Sequence, residues 1–172
     1  DFAVPLHIKD EIKRQLDLDN THYCDPQGLL TLRQAIAKQV SATRGLDISP
    51  ERVVVFPGAK PPIGLVQQVY CSPGNEVIYP SPGFPIYESF IRYVEGVPVP
   101  LHLDESSNFT FTSDQLLELI TPLTKLIFLN FPSNPTGGVA SSEQLEAIAT
   151  VIRNHCPAEV RVYSDEIYEN II

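Results

Sequence analysis

Short apolar, β-branched runs alternate along this chain with segments of helical periodicity, and that alternation narrows the fold more than any other feature. The runs predict strands over 52–56, 76–79, 97–101, 125–129 and 160–163. After their opening Arg52 and Lys125, the runs RVVVF and KLIFL are apolar without interruption, which suits strands buried on both faces. The segments between them carry apolar residues at helical spacing: Ile63, Leu65, Val66 and Val69; Phe90, Ile91 and Val94; Leu116, Leu117, Leu119 and Ile120; Leu145, Ile148, Val151 and Ile152. Thr112 or Ser113, and Ser141 or Ser142, stand where helix N-caps are expected. Strand and helix in strict turn imply an α/β protein, a mainly parallel sheet covered by helices on both faces. Pro98 and Pro100 remove ladder donors, so 97–101 is expected at the sheet edge. Two helices precede the alternation. One starts near Pro5 and carries Leu6, Ile8, Ile12, Leu16 and Leu18; the other carries Leu29, Leu32, Ile36 and Val40 and ends at Gly45.

Bulk properties exclude several classes. A formal net charge of −9 with no basic cluster argues against nucleic-acid binding. No apolar run approaches the roughly 20 residues that span a bilayer, so no membrane partner is expected. Cys24, Cys71 and Cys156 are widely spaced and follow no metal-ligand pattern, which suits reduced thiols and a cytoplasmic setting. Sixteen prolines in 172 residues fit a protein of many sharp loops better than a helical bundle. A nucleotide-binding domain has little support, because GxGxxG is absent and no acidic residue follows the 57–60 turn at the expected spacing.

In open α/β sheets, ligands sit outside the carboxyl ends of the strands. The loops expected there are rich in candidate groups. After 125–129 comes NFPSNPTGG (130–138), where prolines stiffen a turn that carries Asn134. After 52–56, Gly58-Ala59-Lys60 leads into a helix, and free N–H groups at such a start suit a phosphate. Pro61 and Pro62 remove two of those donors, and Lys60 reads equally as an exposed loop lysine. After 76–79, Phe84 fits either stacking on a planar ring or core packing. After 160–163, Asp165, Glu166 and Tyr168 read as a functional cluster or as a solvated strand end. Tyr23, in the loop before the second helix, reads as a surface or packing residue.

Together these stretches resemble the aspartate aminotransferase family, the fold-type I enzymes that use pyridoxal 5′-phosphate (PLP). The resemblance rests on YxxxxG at 23–28 followed by Leu32-Arg33, GAK at 58–60, SPxFPxY at 81–87, NxPxNPTG at 130–137 and SDEIY at 164–168, in that order. It covers nearly the whole chain and implies the cofactor-binding large domain, spanning 1–172. On this resemblance Asp165 salt-bridges the protonated pyridine nitrogen, while Tyr168 and Asn134 hydrogen-bond the ring's phenolic oxygen. Asn134 also lies near the substrate carboxylate, and Phe84 stacks on the ring. Gly58, Ala59 and Lys60 hold the phosphate, and Tyr23 reaches the phosphate of the neighbouring subunit's cofactor, which implies a homodimer. The implied substrates are an amino acid and a 2-oxo acid, in amino-acid metabolism.

The chain departs from the family in what it lacks. The Schiff-base lysine is expected beyond Ile172, and none of Lys9, Lys13, Lys38, Lys60 or Lys125 matches its motif. The substrate-binding arginine and the small domain are expected further on, and the N-terminal arm before Asp1, so the chain is expected to be a fragment without catalytic residues of its own. Rival readings are a PLP-dependent C–S lyase or aminocyclopropane-carboxylate-synthase-like enzyme, and a non-catalytic fragment that binds PLP or a partner.

Overall fold

Side chains alternate between the two faces of a strand, and here each face has been given its own pair of helices. The computed structural model describes residues 2–171, which fall into two compact units, the first ending at Pro57 and the second beginning at Gly58. The second unit runs α3 (Lys60–Tyr70), β1 (Glu76–Ser81), α4 (Ile86–Tyr93), β2 (Val97–His102), α5 (Ser113–Leu119), β3 (Thr124–Asn130), α6 (Ser142–His155) and β4 (Arg161–Asp165). Its sheet has the order β2-β1-β3-β4 with every pair parallel. On one face Val77, Tyr79, Leu126 and Phe128 pack with Ile63 of α3 and Tyr87 and Ile91 of α4. On the other face Ile78, Leu101 and Ile127 pack with Leu116 of α5 and Ile148 of α6. This is the expected sheet with helices on both faces, and β2 lies at its edge as its prolines require.

The caps settle the two helix starts that were open. Thr112 accepts from the Gln115 N–H and Ser141 from the Gln144 N–H, each completed by the glutamine side chain reaching back. The 104–112 segment is a loop apart from a single 3₁₀ turn, Glu105–Ser107.

In the first unit, α1 (Leu6–Asp17) and α2 (Leu30–Arg44) both form, with Pro5 capping α1 rather than opening it and Gly45 closing α2. None of α1 is buried. The unit is organised around the buried Arg33 of α2. Its guanidinium donates to the Gly28 and Pro50 carbonyls at 3.0 and 3.1 Å and lies 3.6 Å from Asp25. Gly28 has φ 101°, and a Cβ there would lie 2.8 Å from Val55 Cβ. The YxxxxG…LR pattern is therefore a turn and the arginine that locks it.

The expected strand at 52–56 does not form. Pro50–Arg52 closes a 3₁₀ turn. From Val53 (φ −107°, ψ 128°) the backbone is extended, but Val55 N–H donates to the Gln27 carbonyl in a loop, at 2.9 Å, rather than to a neighbouring strand. Apolar β-branched residues favour extended backbone, whereas a strand also needs a ladder partner. Among the described residues this segment has none.

Candidate functional site

Because β1, β3 and β4 are parallel neighbours, their carboxyl ends lie along one rim of the sheet. These ends are Ser81, Asn130 and Asp165, and in the register of β3 with β4 Asn130 is the direct partner of Asp165. Asn130 is 2% exposed and uses both ends of its amide. Its Nδ2 donates to the Asp165 carbonyl at 2.9 Å, and its Oδ1 accepts from the Asn134 N–H at 2.8 Å. One side chain thus ties the end of β4 to the loop after β3. That loop closes on itself, with Ser133 N–H to the Gly138 carbonyl at 2.9 Å and Gly137 N–H to the Ser133 carbonyl at 2.8 Å. Asn134 lines a cavity of about 400 Å³ with Tyr168, Ser133, Gly137 and Ile171. The Ser133 hydroxyl is buried with no hydrogen-bond partner among the described residues.

The carboxylate of Asp165 is held from α4. Tyr87, fully buried, donates its hydroxyl to Asp165 Oδ2 at 2.6 Å. The Tyr87 ring stacks on Phe128 at 4.6 Å and meets Phe84 edge-on at 6.0 Å. Burial first, and then the bond to Asp165 and that residue's charge, push the Tyr87 hydroxyl well above the usual tyrosine range, so it stays a donor. Tyr163, against Phe128 at 5.3 Å, is pushed up by burial and then by Asp165.

A parallel α/β sheet with an acid at one strand end and an asparagine turn at the next is shared by many folds, and the comparisons with known proteins narrow it. The profile of the family described as aminotransferase class I and II matches residues 1–172. The chain belongs to this family. Aspartate aminotransferase of Geobacillus stearothermophilus is 37% identical over 171 residues, a match covering 99% of this chain and 43% of that protein. Aspartate/prephenate aminotransferase of Thermus thermophilus is 35% identical over 172 residues, covering 100% of this chain and 44% of its own length. The crystal structure of the aspartate aminotransferase from Rhizobium meliloti superposes with a TM-score of 0.94 at 31% identity, covering 100% of this chain and 42% of that one. The chain thus spans less than half the length of the aminotransferases it matches.

Of the residues expected to serve an aminotransferase site, Asp165, Asn134 and Tyr168 gather at the rim, with Phe84 linked to Asp165 through Tyr87. Phe84 is half-buried against the core, so its packing use is real whatever else it does. Tyr168 follows β4 in a turn, where the Glu169 N–H bonds the Glu166 carbonyl at 3.1 Å. Gly58, Ala59 and Lys60 are exposed at the start of α3, where no side chain caps the helix and Gly58 (φ 97°) has open space around it. No hydrogen bond or ion pair of the described residues joins those three to Asp165 or Asn134. Tyr23 belongs to the first unit and is fully exposed beside Thr21 and His22. Sequence reasoning missed Tyr87 and Asn130 as site residues. Asn130 carried a usable signal, as an amide closing an apolar run; Tyr87 carried only its place in the SPxFPxY motif.

Among the described residues no helix is long and apolar enough to cross a membrane.

Proposed function

We propose that residues 1–172 form the cofactor-binding part of a PLP-dependent aminotransferase acting on an amino acid and a 2-oxo acid, working as a homodimer. The observation that supports it best is the rim itself, where an acid fixed by a buried tyrosine is tied through Asn130 to an asparagine-bearing turn. The donor set fits PLP. Asp165 offers an acceptor for a ring N–H, Phe84 an aromatic face, and Asn134 with Tyr168 polar groups lining one cavity. At the start of α3 no side chain caps the helix, and because Pro61 and Pro62 have no N–H the backbone donors left for an anion are those of Ala59 and Lys60.

When bound, PLP supplies an electron sink that stabilises negative charge at the α-carbon of an amino acid. Asp165 holds a proton at the ring nitrogen, because a carboxylate beside it favours the charged form. Asn134 and Tyr168 donate to the phenolic oxygen, and Asn134 also contacts the substrate carboxylate. Phe84 covers one face of the ring and excludes water. Gly58 and Ala59 with Lys60 bind the phosphate. Tyr23, which reaches full exposure in its own unit, serves the phosphate in the neighbouring subunit. The lysine that anchors the cofactor and moves the proton is assigned to the part of the protein that the relatives carry beyond the matched share. The relatives' names, aspartate and aspartate/prephenate aminotransferase, favour transamination over C–S lyase or cyclopropane-forming chemistry.

The test is to express the full reading frame and incubate it with PLP, aspartate and 2-oxoglutarate. The expected result is a protein heavier than the 19.1 kDa chain, with borohydride fixing PLP to a lysine, and formation of a new 2-oxo acid matched by glutamate. Release of ammonia without an aminated acceptor would point to the lyase reading instead.

A further inference from the structure

Tyr87 ends the SPxFPxY stretch that carries Phe84 and lies in the first turn of α4, and it is the side chain that holds Asp165. A phenylalanine at this position would fill the same space and keep the stack on Phe128. Burying a hydroxyl instead carries a desolvation cost that only a partner offsets, and the partner here is Asp165 Oδ2 at 2.6 Å. Charge-assisted O–H···O⁻ bonds of that length are short and directional. The backbone of the same residue is fixed separately, by the Asn130 amide on its carbonyl. Asp165 is thus held at the main chain and at one carboxylate oxygen, while no hydrogen bond among the described residues engages Oδ1. Rotation of the carboxylate would give up the bond from Tyr87, which favours one orientation and gives the second oxygen a preferred direction.

We propose that Tyr87 is a positioning residue for Asp165, fixing the carboxylate so that Oδ1 meets the ring nitrogen of the cofactor. The inference rests on the PLP reading above. Tyr87 touches neither substrate nor cofactor and acts only through the acid. Burial, and then Asp165 itself, push the Tyr87 hydroxyl well above the usual tyrosine range, so it remains a donor at neutral pH.

The experiment uses the full-length protein as wild type, Tyr87→Phe, Asp165→Asn and the double variant, titrated with PLP carrying ¹⁵N in its ring. Melting of each cofactor-free protein reports folding. Tyr87→Phe is expected to bind PLP about tenfold more weakly, the loss of one charge-assisted bond, and to move the ring ¹⁵N resonance away from its protonated position. With Asn at 165, the second substitution is expected to change affinity less than twofold. Unchanged affinity and resonance in Tyr87→Phe would overturn the proposal while leaving the PLP reading intact. So would an equal loss in both backgrounds, since packing alone would then explain it. A wild-type protein that takes up no PLP would overturn both. If Tyr87→Phe does not fold, 3-fluorotyrosine incorporated at position 87 keeps the shape and alters the hydroxyl's acidity. The ring resonance then moves if the proposal holds and stays if it fails.

Discussion

Two tyrosines on one face of the sheet spend their hydroxyls on carboxylates, and they differ in what that accomplishes. Tyr79 of β1 donates to Glu88 Oε2 at 3.0 Å, one helical turn from Arg92, which grips the same carboxylate at 2.6 Å. The Arg92 guanidinium first, and then the Tyr79 hydroxyl, hold Glu88 below the usual glutamate range. Burial, followed by Glu88, pushes Tyr79 up to about 12 from an ordinary 10.0. The unfolded chain loses that proton near its ordinary value while the folded chain keeps it longer. The contribution is therefore complete below pH 10 and disappears as pH rises through about 12. Denaturant melts from pH 8 to 12 are expected to show stability falling above pH 10, with a shallower fall in Tyr79→Phe; identical slopes would refute the assignment. Tyr87 resembles Tyr79 chemically, but its carboxylate partner lies at the rim where a ligand is expected rather than on the outer, partly exposed side of α4. Nothing at the level of sequence separates the two, because their partners lie 9 and 78 residues away.

The elements that were easy to read are those whose residues carry their own instructions. The KLIFL run became β3 because continuous apolar residues are stable only when covered on both faces. Thr112 and Ser141 became caps because their hydroxyls satisfy N–H groups three residues on. RVVVF failed for the complementary reason: composition prescribes an extended backbone but cannot specify a neighbour. The loop after β3 was legible as a stiffened polar turn from its prolines and asparagines, whereas the parts that hold it in place come from elsewhere in the chain. A Cβ added to Gly138 would lie 2.4 Å from the Phe109 carbonyl, where Asn108 and Phe109 both adopt positive φ. Gly138→Ala is accordingly expected to displace the loop, weakening PLP uptake by the full-length protein. In calorimetry the cost should reach about 1–3 kcal/mol, the range for overpacking. Asn130→Ala removes both ties of the rim and leaves the Asn134 N–H and Asp165 carbonyl to find other partners. Its expected cost is about 1–3 kcal/mol for each group left buried, read from the shift in denaturant midpoint. A midpoint matching the wild type would show that the two loops hold their places without it.

On the scale of the whole chain, stability is spread unevenly, and the difference follows from where apolar surface is covered. The unit from Gly58 onward buries both faces of its sheet, with Val77, Ile78, Leu126, Ile127 and Phe128 at 0% exposure. The unit ending at Pro57 buries Arg33 and Ala37 of α2 and nothing of α1, whose Leu6, Ile12 and Leu16 stay at least half exposed. A helix of 12 residues is marginal in water on its own, since nucleation is costly and most helical stability comes from packing a face. The surface ion pairs of α1, Lys13 with Asp10 and Arg14 with Glu11, add little to that. Amide exchange measured on residues 1–172 should therefore be graded. The β1 and β3 amides are expected to exchange only on global unfolding, those of α2 around Arg33 sooner, and those of α1 within the dead time of a manual experiment. In the full-length protein, any segment that covers the apolar face of α1 should slow its exchange while leaving β1 and β3 unchanged. Equal protection of α1 and β3 in the 172-residue chain would mean that α1 draws its stability from contacts other than burial, and the graded picture would fail.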